Sequence, residues 1–241
     1  MSHSITVISS MATKAMVTEL AHAFEARSGR GIRLESVGGT DAARRVRAGE
    51  AFDVVVLAHD AIEAMLAAKH LLAGSKVDLA HSAVAVAVRA GEPRPDIGNE
   101  EALRRVVLTA RTIGYSTGPS GVELARLFER WGISEVVRER VVTPPPGVPV
   151  GSLVARGEVE LGFQQLSELM HVGGIDVIGL LPAEIQIVTT FSAGIGAASS
   201  QADSAHLLIS FMASAGAADA VLRHGMEPAA HRRREPERSI A

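Results

Sequence analysis

The stretch ITVISSMATKAMVTELAHAFEARSGRGIRLESVGGTDAARRVRAGEAFDVVVLA, residues 5–58, decides the fold. Its apolar residues change period several times. Residues 5–9 form a short apolar run, which reads as a strand. Over residues 11–28 the spacing turns helical, with Met16, Leu20 and Phe24 recurring every fourth position. Gly29 and Gly31 stop that helix. Residues 32–37 read as a second strand. Gly38-Gly39-Thr40-Asp41 reads as a turn, with Asp41 the expected N-cap of a helix over 42–48. DVVVLA, residues 53–58, is an unbroken apolar run of the kind buried on both faces of a parallel sheet. Strand and helix alternating in this order imply parallel strands joined by right-handed crossovers.

Outward from this stretch, residues 61–68 read as another helix. The Val/Ala alternation of residues 81–90 breaks the pattern and reads as a strand crossing out of the first unit. A second βα series follows, with strands at 112–115, 141–143, 161–165 and 175–180 and helices at 122–131, 150–156 and 166–170. Residues 185–198 are extended and Gly-rich, bringing the chain back. Asp203 is the expected cap of a last long helix that ends near Gly225. The expectation is an α/β chain of two lobes, each a mainly parallel sheet flanked by helices, joined by a two-strand hinge. Residues 1–82 and 190–241 would form one lobe, with 83–189 inserted as the other.

Composition agrees with this class. Of 241 residues, 47% are hydrophobic but only 3% aromatic, which suits Ala-rich helices on a Val-rich sheet. The formal net charge is −3 with signs well mixed, so no nucleic-acid partner is expected. The basic run Arg232-Arg233-Arg234 reads as a solvated tail. There is no Cys, which excludes disulfides and thiolate chemistry. No apolar run approaches the roughly 18 residues of a membrane span. No secretory leader pattern precedes residue 5, so the sequence as it stands reads as cytoplasmic, or as periplasmic had a leader been removed. The nine His are scattered without HExxH spacing, and no metal or cofactor is expected. A G-x-S-x-G elbow and a GxxxxGK[ST] loop are both missing.

In open α/β sheets, ligands bind outside the carboxyl ends of the strands. The turns there are Ser9-Ser10-Met11, Gly38–Asp41 and Ala58-His59-Asp60. In the second lobe they are Ser116-Thr117-Gly118-Pro119-Ser120-Gly121, the Pro-rich turn with Gly147 and Val148, and Gln164-Gln165. Nearly all combine hydroxyls or amides with glycine, and several open a helix. Helix-start N–H groups stabilise negative charge, glycine lets the backbone approach, and hydroxyls donate without adding charge. A small anionic ligand is therefore expected. If the cleft does chemistry, Asp41, His59 and Tyr115 are the acid–base candidates, with Asp60 and Glu160 behind them. Lys14, Arg44 and Arg45 could bind further carboxylates.

ITVISSMATKAM, SVGGTDAARRVRAGEAFDVVVLA, IGYSTGPSGVELARLFERWGI, LVARGEVELGFQQ and LLISFMASAGAADAVLRHGMEP together span much of residues 4–228. In these pieces the chain resembles the substrate-binding proteins of molybdate and tungstate ABC transporters, which have the periplasmic-binding-protein type 2 fold. The resemblance implies an oxyanion held in the cleft by neutral groups, and an ABC permease as partner for an exported protein. By position it points to Ser9, Ser10 and Met11, to Gly39 and Thr40, to Ser120, and to Gly147 or Val148. Gln165 stands where the family places a Tyr. Met11 and Gln165 replace expected hydroxyls, which makes a small carboxylate a rival to molybdate. The same family includes proteins resembling aconitate isomerase, so a cytoplasmic isomerase shifting a double bond by proton abstraction and return is the alternative.

Overall fold

The computed structural model describes residues 4–145 and 147–229. The Arg232–Arg234 run lies outside them. In chain order the first elements are β1 Ile5–Ser10, α1 Lys14–Ser28, β2 Ile32–Val37, α2 Gly39–Arg47, β3 Val54–Ala58, α3 His59–Ala67 and β4 Val77–Arg89. Next come α4 Glu100–Thr109, β5 Ile113–Tyr115, α5 Pro119–Arg130, α6 Ser134–Val137, β6 Val141–Val142, α7 Val150–Ala155, β7 Leu161–Gln165 and α8 Leu166–Leu169. The chain closes with β8 Ile175–Leu180, β9 Val188–Ile195, α9 Ala202–Met212, α10 Ala218–Arg223 and β10 Met226–Pro228.

The strands run in the order β2-β1-β3-β9-β4-β7-β5-β6. β1 pairs in parallel with β2 and with β3, and β5 in parallel with β6 and with β7. β4 and β9 are antiparallel to their neighbours and join the two parallel sets. The pairing of β4 changes along its length: Val77–Ala83 meets β9, Val84–Ala87 meets β7, and Ala85–Arg89 meets β8. This one strand therefore belongs to both lobes. The first sheet is covered on one side by α1, α9 and α10, around Met16, Leu20, Leu208 and Met212. On the other side α2 and α3 seal it around Ile8, Val55, Ile62 and Met65. Burial on both faces is why Val54, Val55 and Val56 are each 0% exposed and why DVVVLA lacks alternation. The second lobe repeats the arrangement, with Phe128, Leu124 and Phe163 under α4 and α5 and Val150 and Val154 on the opposite side.

Several local expectations are corrected. α2 begins at Gly39, and Gly38 holds its cap position without a side-chain bond. Asp41 is thus inside the first turn, paired with Arg44, instead of capping. Ser120 and Gly121 lie within α5, which opens on Pro119, a residue pre-set for a helix's first turn. The crossing strand starts at Val77 rather than His81. α4 was not anticipated; the Asn99 side chain caps it, accepting from the Ala102 amide at 2.9 Å, and Glu100 and Glu101 complement its dipole. The last helix is two pieces, with a turn of 3-10 helix at Ala215–Ala217 between them. Gln201, not Asp203, holds the cap position of the first piece.

Candidate functional site

Ser9 and Ser10 end β1 and are buried, at 0% and 5% exposure. The Ser9 hydroxyl lies 2.7 Å from that of Ser36 on β2. The Ser10 hydroxyl has only a long 3.4 Å contact with Thr13, so it is the freer donor. Met11 opens the 3-10 turn Met11–Thr13 that leads into α1. A Cβ on Gly39 would sit 3.6 Å from the Ser10 Cβ, so the first and second turns touch. Thr40 is exposed beside them.

In the second lobe, the Ser116 hydroxyl accepts from the Gly118 amide at 3.4 Å while Thr117 is exposed and Ser120 buried. Gly121 is required there: a Cβ would fall 1.6 Å from the Ser116 carbonyl oxygen. That close approach folds residues 116–120 over the start of α5. Gly147 turns at φ +79°, and Val148 donates its amide to Pro145 at 3.1 Å; Pro146 lies outside the described residues. Gln165, 3% exposed, donates its amide to Thr189 of β9 at 2.7 Å, tying β7 to the hinge. Its Oε1 is buried without a partner among the described residues. Exchanging the amide's O and N lets Thr189 donate to Oε1 instead and frees two N–H donors for a ligand.

The acid–base candidates are spread over separate turns and are engaged in other contacts. His59 is the first residue of α3 and lies in a surface ion cluster, 3.3 Å from Asp78 and 3.8 Å from Glu63, which also pairs with Lys76. Burial raises the Asp78 carboxyl, but the Ser192 hydroxyl and His59 more than offset this, leaving it below its ordinary value. The Tyr115 ring packs edge-on against Phe128, with centroids 6.0 Å apart, and burial pushes its hydroxyl up. Glu160 holds Arg111 at the amino end of β7, opposite the ligand-side turns. Arg44 is paired with Asp41, and Arg45 is clamped between Glu35 and Glu50. Asp60 and Lys14 are exposed. Among the described residues, no group of three or more His, Cys, Asp or Glu is arranged to hold a metal.

Sequence reasoning missed Glu168. It lies on α8, three residues past the end of β7, and accepts from the Gln164 amide at 2.9 Å. Gln164 in turn accepts from the Gly151 amide at 3.3 Å. Burial pushes the Glu168 carboxyl up to about 7, against the opposing pull of Gln164. The available signal was a carboxyl directly after a strand ending in two amides.

A family model described as bacterial extracellular solute-binding protein matches residues 5–227. Aconitate isomerase from Pseudomonas sp is 37% identical over 234 residues, covering 93% of this chain and 87% of that protein. The periplasmic molybdate-binding protein of Azotobacter vinelandii superposes with a TM-score of 0.77 at 19% identity, covering 92% of this chain and 98% of that one. The sulfate-binding protein of Mycobacterium tuberculosis H37Rv superposes with 0.76 at 17% identity, over 94% and 88%. With a two-lobed type 2 fold and neutral donors at the carboxyl ends of strands in both lobes, this chain belongs to the bacterial extracellular solute-binding proteins.

Proposed function

We propose that the cleft binds a small anion, a compact oxyanion or a small carboxylate, through Ser9, Ser10, Met11, Gly39 and Thr40 from one lobe. Ser116, Thr117, Ser120, Gly147, Val148 and Gln165 face it from the other. The observation that carries this reading is Gln165: a buried amide at the end of β7 has one polar atom without a partner among the described residues, and a buried polar group of this kind calls for a hydrogen-bonding partner. The lobes divide where β4 changes partners, near residues 82–84, and again near 189–190 on the return strand. In its family setting the protein works on the periplasmic side and passes its solute to an ABC permease. Thermal unfolding against molybdate, tungstate, sulfate, phosphate, citrate, cis-aconitate and trans-aconitate tests this. A ligand at 100 times its dissociation constant adds about 2.7 kcal/mol. Stabilisation by at least one anion is expected, lost in Gln165→Leu; no response to any of them defeats the reading.

The extended identity to an aconitate isomerase favours a second reading, in which the bound anion is a tricarboxylate whose double bond is moved. Here the relevant measurement is interconversion of cis- and trans-aconitate.

A further inference from the structure

α8 is the element of the second lobe that packs against the Met11–Thr13 turn of the first. On it sits one carboxyl, Glu168, partly buried yet still reached by solvent. Its surroundings are depleted of charge. β7, α7 and the Met11–Thr13 turn carry no ionisable side chain. On β4, Asp78 is bonded to Ser192 and His59, His81 to Thr190, and Arg89 lies against Gly157. His171, just past α8, lies 3.3 Å from His224, which is held by Glu19; Glu19 also pairs with Arg223. The Gln164 amide, itself anchored on the Gly151 amide, fixes the carboxyl in place. A carboxyl held by one neutral amide, with no cation paired to it among the described residues, can both take and give a proton near neutrality.

We propose that Glu168 is the acid–base group of the cleft, exchanging a proton with the carbon chain of a small unsaturated polycarboxylate. The proposal rests on the second reading above. As carboxylate, Glu168 removes a proton from the methylene carbon beside the double bond. The electron pair left by the broken C–H bond delocalises over the allyl system and its carboxylate. The carboxylic acid so formed, open to exchange with solvent, delivers a proton to the far carbon, forming a new C–H bond. The double bond moves, Glu168 regains its charge, and no oxidant or reductant is consumed. Neutral hydroxyl and amide donors hold the substrate's carboxylates while this happens.

The test is incubation of the full chain with trans-aconitate in deuterated water, followed by proton NMR, alongside calorimetric binding. The wild type is expected to interconvert the aconitates and incorporate deuterium at the exchanging carbons. Glu168→Gln should bind trans-aconitate within about threefold of wild type while turnover falls by roughly a hundredfold or more. Glu168→Asp should recover part of the rate. Wild-type kcat/KM should rise with pH through about 7, and that limb should vanish from the residual rate of Glu168→Gln. A wild type that binds trans-aconitate without interconverting it overturns the isomerase reading and the proposal together. A wild type that turns over, with Glu168→Gln nearly as active, overturns the role of Glu168 alone.

Discussion

Asp53 and Glu168 carry the same functional group into different surroundings, and their protonation diverges accordingly. Burial raises the Asp53 carboxyl, but the Ser199 hydroxyl, the amide and hydroxyl of Thr6 and the Gln201 amide outweigh it, so the net shift is downward. A lowered carboxyl contributes stability above its unfolded value, and that stability is lost as pH falls through the folded one. Asp53→Asn should therefore cost about 1–3 kcal/mol at pH 7 in urea unfolding, with the gap narrowing in acid. Glu168 has the opposite sign. Its carboxyl is raised from 4.5 to about 7, so the folded protein binds the extra proton between those values and loses stability as pH rises through them. Glu168→Gln should be nearly neutral at pH 4 and should stabilise at pH 8 by an amount on the order of 1–3 kcal/mol. Equal effects at both pH values would show that the carboxyl is not shifted.

At the level of elements, the packing of backbone against backbone sets the ligand-side turns. Gly121→Ala places a methyl on the Ser116 carbonyl, so α5 or the 116–118 turn must move. A loss of about 2 kcal/mol or more is expected by urea unfolding, together with weakened anion binding; wild-type affinity in this variant would remove the turn from the site. The strands were legible in the sequence because apolar runs such as VVVLA have no competing explanation, and the spans of β2, β7 and β8 match their reading. Helix starts were less legible. Gly38-Gly39 lets α2 begin two residues before the Asp41 that looked like its cap, and α4 hides behind a single capping Asn99. The turns proposed as donors were picked out from their position after strands. Glu168 could not be, because its raised carboxyl comes from burial under neighbours distant in sequence, which no local spacing encodes.

Across the whole molecule, α8 is one of the places where the two lobes meet. Gly225, at φ +69°, places its Cα where a Cβ would lie 2.9 Å from the Met170 sulfur and 3.0 Å from Leu166 Cγ. Gly225→Ala is both strained and crowded, and is expected to lower stability by about 1–3 kcal/mol and to shift α8 off the first lobe. Thermal unfolding checks the first effect and anion affinity the second; an unchanged affinity would mean that the seat of α8 does not shape the cleft. The late arrival of β9 beside β3 also has a consequence for synthesis. In the first sheet, β3 is flanked by β9, whose residues Val188–Ile195 leave the ribosome long after Val54–Ala58. Until then the apolar edge of β3 has no neighbour on that side, a state open to intermolecular strand pairing. The nascent chain therefore completes its first lobe last, and a ribosome stalled before residue 188 should present an aggregation-prone sheet that a holding chaperone would need to cover.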